Sequence, residues 1–344
     1  MTQMIISNAT LNATSRASIA RLQGELAKAQ EELSSGRRAD IGRDLGSRSI
    51  AVAQLRGRIG ESQAILDANS VASARLEATK ASLGSLTNLA QSMQQKLLGG
   101  GAGIVDAGTL IEEARAAVDQ TISIANSTFD GAYLFVGLGV GKALNEFAGG
   151  PATAVNSAFQ AKFGAIPGDA ANAAISPDQI QSFLDTEFSG LFDDANWTPV
   201  WSNASDASPE ARISETISIE NSTTANQQAI RDLLGALTMV AGLGLQSFDA
   251  RTAQTVVASA ATRLGGALAE LATLQAETGV KQNMIDEASN ELTARQTAFK
   301  GRLDEFESVD PVDVSMRISA LSAQLQASYQ VTSKLAQLSL VNFI

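Results

Sequence analysis

Mainly apolar residues, with an occasional Ser, Thr or Gln, recur at alternating spacings of three and four along both ends of this 344-residue chain. Such spacing places them on one face of a helix, and a repeat of about 3.5 residues kept over several turns is typical of coiled-coil pairing. The stripes before residue 100 are Ile19, Leu22, Leu26, Ala29 and Leu33, then Val52, Leu55, Ile59, Ser62 and Leu66, then Leu76, Thr79, Leu83, Leu86, Ala90, Met93 and Leu97. Those after residue 280 are Ile285, Ser289, Leu292, Gln296, Phe299, Leu303 and Phe306, then Val314, Ile318, Leu321 and Leu325. The pattern predicts a mainly α fold, in which long antiparallel helices from the N- and C-terminal segments form a coiled-coil bundle.

The middle of the chain breaks this pattern. Five of the six prolines lie between residues 151 and 209, and residues 101–210 carry 14 acidic and 3 basic side chains, against 22 of each elsewhere. Because disordered segments tend to lack aromatic side chains and this one is rich in them, we predict a small folded α+β insert at 151–210, with a disordered insert as the alternative. Trp197 and Trp201 are expected to form its core, and a sugar- or receptor-contacting patch is the alternative.

Local signals place several element boundaries. The SerSerGly stretch at 34–36 is expected to end the first helix, and Asp310 followed by Pro311 is expected to cap and begin the last one. Short β segments are predicted around 133–136 and at 213–220. The second of these carries three isoleucines on one alternating face: Ile213, Ile217 and Ile219.

These boundaries predict three domains. Residues 1–45 and 306–344 would form a terminal coiled-coil domain. Residues 46–150 and 211–305 would form a helical bundle with a β-hairpin, and residues 151–210 would form a variable outer domain inserted into it.

The two ends of the chain are poor in charge. No charged side chain precedes Arg16, and Lys334 is the only one from Ser319 onward. Burying a few leucines does not offset the backbone entropy lost in ordering a whole helix. We therefore expect the terminal domain to be disordered in the monomer, with residues 1–35 and 312–344 unprotected in hydrogen exchange, and to order when the ends pack together and against neighbouring copies. The candidate assembly-interface residues are Ile19, Leu22, Leu26, Leu33, Leu321, Leu325, Tyr329, Leu335, Leu338, Leu340 and Phe343.

Composition excludes several classes of function. The chain has no cysteine and no histidine, which removes disulfides, thiolate and imidazole metal sites, and the common serine and cysteine triads. A net charge of −11 makes nucleic acid an unsuitable partner, and the tail lacks the run of about 20 apolar residues that a membrane anchor needs. The glycine-rich stretch 137–142 lacks the spacing of a phosphate-binding loop. We therefore predict no catalytic residue, no cofactor and no metal site. Separately, the N-terminus has no basic region leading into an apolar stretch, so we predict no secretory signal peptide.

Two stretches resemble the bacterial flagellin family: ELAKAQEELSSGRRADIG at 25–42 and ANSTFDGAYLFVG at 125–137. The closing residues LSLVNFI at 338–344 resemble one branch of that family, the hook-filament junction proteins. The resemblance covers residues 1–150 and 211–344. It implies an inner coiled-coil layer made by the terminal helices, a helical bundle with a hairpin outside it, and an outward-projecting middle segment.

The same resemblance implies a non-enzymatic structural subunit of the extracellular bacterial flagellum. Implied partners are further copies of the chain, flagellin subunits, another hook-associated protein on the hook side, and an export chaperone with the flagellar type III export apparatus. A filament flagellin of the same family is the alternative, and copy number would separate the two. A surface adhesin or ligand-binding module centred on residues 151–210 is a further alternative, which would require the isolated insert to bind a glycan or a host protein.

Overall fold

The computed structural model describes residues 8–101 and 106–341 of the chain. It is mainly helical, as predicted, with long antiparallel helices and two small two-stranded sheets. In chain order the elements are α1 (Asn8–Ser35), α2 (Ile41–Leu45), α3 (Ser49–Gly101), α4 (Ala107–Ala125), β1 (Thr128–Phe129), β2 (Ala132–Tyr133), α5 (Gly150–Phe163), α6 (Pro177–Phe183), a π-helical turn (Leu184–Phe188), α7 (Asp194–Val200), β3 (Glu210–Arg212), β4 (Ser218–Glu220), α8 (Gln228–Gly242), α9 (Ala250–Glu307) and α10 (Pro311–Val341). No helix within these described ranges has the length and apolarity needed to cross a bilayer.

The chain divides into two compact units. The terminal unit comprises residues 1–63 and 293–344, and the central unit comprises residues 64–292. The three-domain division expected from the sequence remains a prediction.

In the terminal unit, the predicted helix boundaries are confirmed. α1 ends at Ser35 because Gly36 adopts a φ of +69°, a left-handed conformation that favours glycine. α10 begins at Pro311, and the carboxylate of Asp310 accepts a hydrogen bond from the backbone N–H of Val312 at 2.8 Å.

In the central unit, α3 and α9 run antiparallel. The side-chain amide of Asn69 donates to Ser289 at 3.0 Å, and that of Gln275 donates to Thr87 at 2.8 Å, so residue numbers rise on one helix as they fall on the other. Helices α4 and α8 pack against each other, and α8 is buried over most of its surface. Their apolar side chains share one core with those of α3 and α9.

The first β-hairpin lies earlier in the chain than predicted. β1 and β2 pair antiparallel through a turn at Asp130 and Gly131, whose φ values of 50° and 77° suit a tight two-residue hairpin turn. Residues 134–136 follow β2 and are buried in the core. Tyr133 lies in β2 and Val136 forms an isolated antiparallel bridge with Thr224, so the β segment predicted around 133–136 is present in part.

The second hairpin is formed by β3 and β4 and confirms a β unit in this region. Ile213 is 1% exposed and Ile219 is 9% exposed, as expected for one buried face. Ile217 lies in the connecting turn and is 45% exposed, so its predicted place on that face is wrong. The turn interrupts the alternation on which the prediction depended.

Residues 151–210 are folded and contribute a cluster of aromatic side chains. Trp197 and Trp201 are stacked, with ring centroids 5.7 Å apart and planes inclined by 11°. They are 1% and 0% exposed, which confirms that they are buried and removes the alternative of an exposed contact patch, but the core they occupy is not confined to the insert as predicted. The aromatic cluster belongs to the same hydrophobic core as α4, α8 and α9.

Candidate assembly interface

The paired terminal helices bring together several of the residues singled out in the sequence. α1 and α10 pack antiparallel, and Leu22, Leu321 and Leu325 are buried between them. Ile19 and Leu26 are partly buried against the same cluster. These five residues form part of a continuous apolar contact, which we call the terminal seam, and its other members are Ala29, Val309, Val314 and Ile318.

The terminal seam departs from the predicted stripe at the end of α1. Leu33 is 41% exposed, whereas Glu32 is 4% exposed and faces α10. An α-helix has 3.6 residues per turn, so a stripe spaced at 3.5 drifts around it, and here position 32 follows Ala29 in the seam. Glu32 lies there because its carboxylate pairs with Arg317 of α10 and accepts the backbone N–H of Ala39 at 3.2 Å.

The other predicted interface residues lie beyond the terminal seam. Tyr329 is 48% exposed, and its hydroxyl accepts a hydrogen bond from the side-chain amide of Gln23 at 2.8 Å. Leu335, Leu338 and Leu340 continue α10, but their side chains, like the whole of Phe343, lie outside the described residues. Their role in assembly remains a prediction.

A second contact holds the connector between α1 and α2 against the end of α9. The backbone N–H of Arg38 donates to the carbonyl oxygen of Glu307 at 2.8 Å, and that of Val309 donates to Gly36 at 3.1 Å. The side chain of Glu307 is 1% exposed and accepts from Arg37 at 3.3 Å and from Arg56 at 2.7 Å. Because both arginines are more than half exposed, they are hydrated while they neutralise the buried carboxylate.

These charged residues did not stand out in the sequence. Glu32 and Glu307 read as ordinary members of solvated helix faces, because their partners lie more than 200 positions away in the chain. They can be identified only from which residues face them on the neighbouring helix. Once α1 and α10 are aligned antiparallel, Glu32 falls opposite Arg317, and opposite charges at facing positions favour pairing.

A polar groove of about 320 Å³ adjoins the terminal seam where α2 approaches α1 and α10. Asp40 caps α2 there. The backbone N–H of Arg43 donates to its carboxylate at 3.1 Å and, with Lys28 nearby, holds the pKa of Asp40 below its ordinary value. The lining mixes both signs of charge, and among the described residues no group of three or more His, Cys, Asp or Glu side chains could hold a metal ion. Lys28 of α1 pairs with Asp40 at 3.4 Å in this groove, and this contact links the connector to α1.

The glycine-rich stretch 137–142 forms an irregular turn in the central unit. Gly137 has a φ of +65°, and a Cβ at this position would come within 2.5 Å of the carbonyl oxygens of Ser205 and Ala207. Glycine is thus required by close packing of the backbone. This accounts for the residue type by backbone geometry alone.

Comparisons with known proteins agree with this arrangement. Two family models match the chain, the bacterial flagellin N-terminal helical region over residues 6–139 and the bacterial flagellin C-terminal helical region over residues 261–344. A solved structure described as a flagellar hook-associated protein from Vibrio parahaemolyticus has a similar fold, with a TM-score of 0.53 and 12% sequence identity over 76% of this chain and 97% of that one. No curated protein matches the chain.

Proposed function

This chain belongs to the bacterial flagellin family, and we propose that within it the protein is the hook-filament junction subunit, hook-associated protein 3. Members of the family are structural, non-enzymatic subunits of the extracellular flagellum that associate with other flagellar subunits.

The terminal seam is the observation that best supports a structural role for this chain. It joins two helices from opposite ends of the chain, and the sequence places charge-poor segments at the outer limits of both. Outside the seam the paired helices also carry exposed apolar side chains, among them Leu33, Tyr329 and Val331, and these are available for packing against neighbouring copies. We propose that the terminal domain orders fully only in this assembled state, as the sequence predicts.

Three observations favour the junction over the filament. The closing residues LSLVNFI resemble the junction branch of the family, and the segment between the two family matches is short. The fold similarity to a hook-associated protein extends over nearly all of that protein. A filament flagellin remains the second candidate, because both kinds of subunit share the paired terminal helices.

The partners of a junction subunit follow from its position. We propose contacts with flagellin on the filament side and with another hook-associated protein on the hook side. We also propose that an export chaperone binds the chain and that the flagellar type III apparatus exports it.

A strain lacking this chain tests the proposal. A junction role predicts that electron microscopy finds basal bodies and hooks without filaments, while flagellin is exported into the medium. It also predicts that the chain is a minor component of sheared flagella. A chain that dominates sheared filaments, or a deletion strain with normal filaments, would contradict the junction role.

A further inference from the structure

An apolar groove crosses the surface of the terminal unit between the first turns of α3 and the last turns of α9. Its volume is about 590 Å³, and its floor is formed by Leu55, Phe299 and Phe306. All three side chains are only partly buried. The chain has few aromatic residues, and two of them lie in this groove. An aromatic floor left open to solvent is typical of a surface that another protein covers.

The rim of this groove carries positive charge. Arg58 and Arg302 line it together with Glu305, and all three are exposed. Within the described part of the chain, neither arginine forms an ion pair. The rim therefore offers two arginines to an acidic partner.

A second exposed surface lies on the first turns of α10, on the side that faces away from the terminal seam. Val312 is 64% exposed and Met316 is 59% exposed, and their spacing of four places them on one face of the helix. Asp313 lies beside them, is exposed, and has no ion-pair partner among the described residues. We call this surface, defined by Val312, Asp313 and Met316, the acidic α10 face.

We propose that the acidic α10 face of one copy docks into the groove of a second copy. This inference rests on the proposed function, because it assigns the neighbouring subunit to a particular surface. Val312 and Met316 would cover Phe299 and Phe306, and Asp313 would reach the arginines of the rim. The two surfaces match in both apolar character and charge, which is what selects one partner and one register.

The proposed contact has a consequence for the assembly. Both surfaces are exposed in the single chain, so a copy does not fill its own groove. Because the contact joins two different surfaces, a pair of copies keeps a free α10 face on one copy and a free groove on the other. Such heterologous contacts continue from copy to copy and produce a ring or a helix.

Disulfide cross-linking tests this contact directly, since the natural chain has no cysteine. A chain carrying Met316→Cys on the α10 face and Gln54→Cys on the groove is expected to form a ladder of cross-linked copies in oxidised, isolated flagella. Each single-cysteine variant is expected to remain a monomer under the same conditions. The matched control combines Met316→Cys with Gln160→Cys, an exposed position on α5 of the central unit, and is expected to give no ladder.

Three results would overturn the proposal. They are a double-cysteine chain that enters flagella without forming the ladder, a Met316→Cys chain that pairs with itself, and a Met316→Cys chain that cross-links to a different flagellar protein. Each of these leaves the proposed function standing. Absence of the wild-type chain from flagella would instead contradict the proposed function, and this contact with it.

A charge exchange provides an independent measurement. Asp313→Arg is expected to lower the amount of chain in isolated flagella on the order of tenfold, because it places like charges together across the contact. Adding Arg302→Asp to that variant is expected to restore most of the loss. No recovery in the double variant would contradict the pairing of these two surfaces.

Discussion

Glu307 shows how one buried charge organises the connector after α1. Its carboxylate is held by Arg37 and Arg56, and no other described partner neutralises it. Glu307→Gln keeps the size of the side chain and removes the charge, so we expect the free energy of unfolding to fall by about 1–3 kcal/mol. Urea unfolding of the purified chain measures this. Glu305→Gln is the matched control, because Glu305 is exposed and its change should stay within about 0.5 kcal/mol.

Two glycines in helices should respond to alanine with opposite signs. A Cβ at Gly235 of α8 would lie 2.6 Å from the guanidinium carbon of Arg263, which pairs with Asp232 at 2.8 Å and lies 4.9 Å from the centre of the Phe192 ring. A Cβ at Gly266 of α9 would have no heavy atom within 4 Å. We expect Gly235→Ala to lower the free energy of unfolding by about 1–3 kcal/mol because it displaces the arginine. We expect Gly266→Ala to raise it by about 0.5–1 kcal/mol through helix propensity.

Tryptophan fluorescence during urea unfolding measures both variants, since Trp197 and Trp201 are buried in the core of the central unit. Equal effects of the two substitutions would show that Arg263 moves aside freely. In that case its contacts with Asp232 and Phe192 would contribute little to stability.

At the scale of elements, an ion pair ties α5 to the π-helical turn. Lys162 donates to Glu187 at 2.6 Å, and with the hydroxyl of Thr186 it lowers the pKa of Glu187 from 4.5 to about 2. A pKa lowered by folding contributes stability above the unfolded value, and this contribution is lost as the pH falls from about 4.5 toward 2. Lys162→Met should raise the pKa of Glu187 toward its ordinary value, as followed by NMR titration of the carboxyl carbon. Lys142→Met, which breaks an exposed pair with Glu146, should leave the pKa of Glu187 unchanged.

The long helices were predictable from sequence, whereas for the short strands only the approximate location was. Repeated apolar spacing identified α1, α3, α9 and α10, because many positions report the same period. The strands have two or three residues each, too few for an alternating pattern to be distinguished from a buried run. The exposed Ile217 is the result of that ambiguity.

The candidate interface was predictable in part, for a related reason. Apolar members of the terminal seam such as Leu22 and Leu321 follow from helical periodicity alone. The ion pairs of Glu32 and Glu307 depend on which helices lie side by side, and no local signal carries that information. Ala29 belongs to the apolar stripe, but its complete burial reflects how closely α10 approaches α1.

At the scale of the whole molecule, the two units are stabilised by different interactions. The central unit has a large apolar core with a stacked aromatic cluster. The terminal unit depends on a narrow apolar seam and on ion pairs between distant parts of the chain. A narrow seam leaves much of each terminal helix available for neighbouring subunits, which fits a protein that functions by assembly.

The most direct measurement is the incorporation of a chain with a broken terminal seam into isolated flagella. Leu321 is 9% exposed in the seam, and Leu321→Asp places a charge there, whereas Gln326→Asp adds the same charge at an exposed position of α10. Tryptophan fluorescence establishes that the central unit is folded in both variants. We expect Leu321→Asp to lower the amount of chain in flagella at least about tenfold while Gln326→Asp incorporates normally. Normal incorporation of the Leu321→Asp chain would contradict assembly through the paired terminal helices.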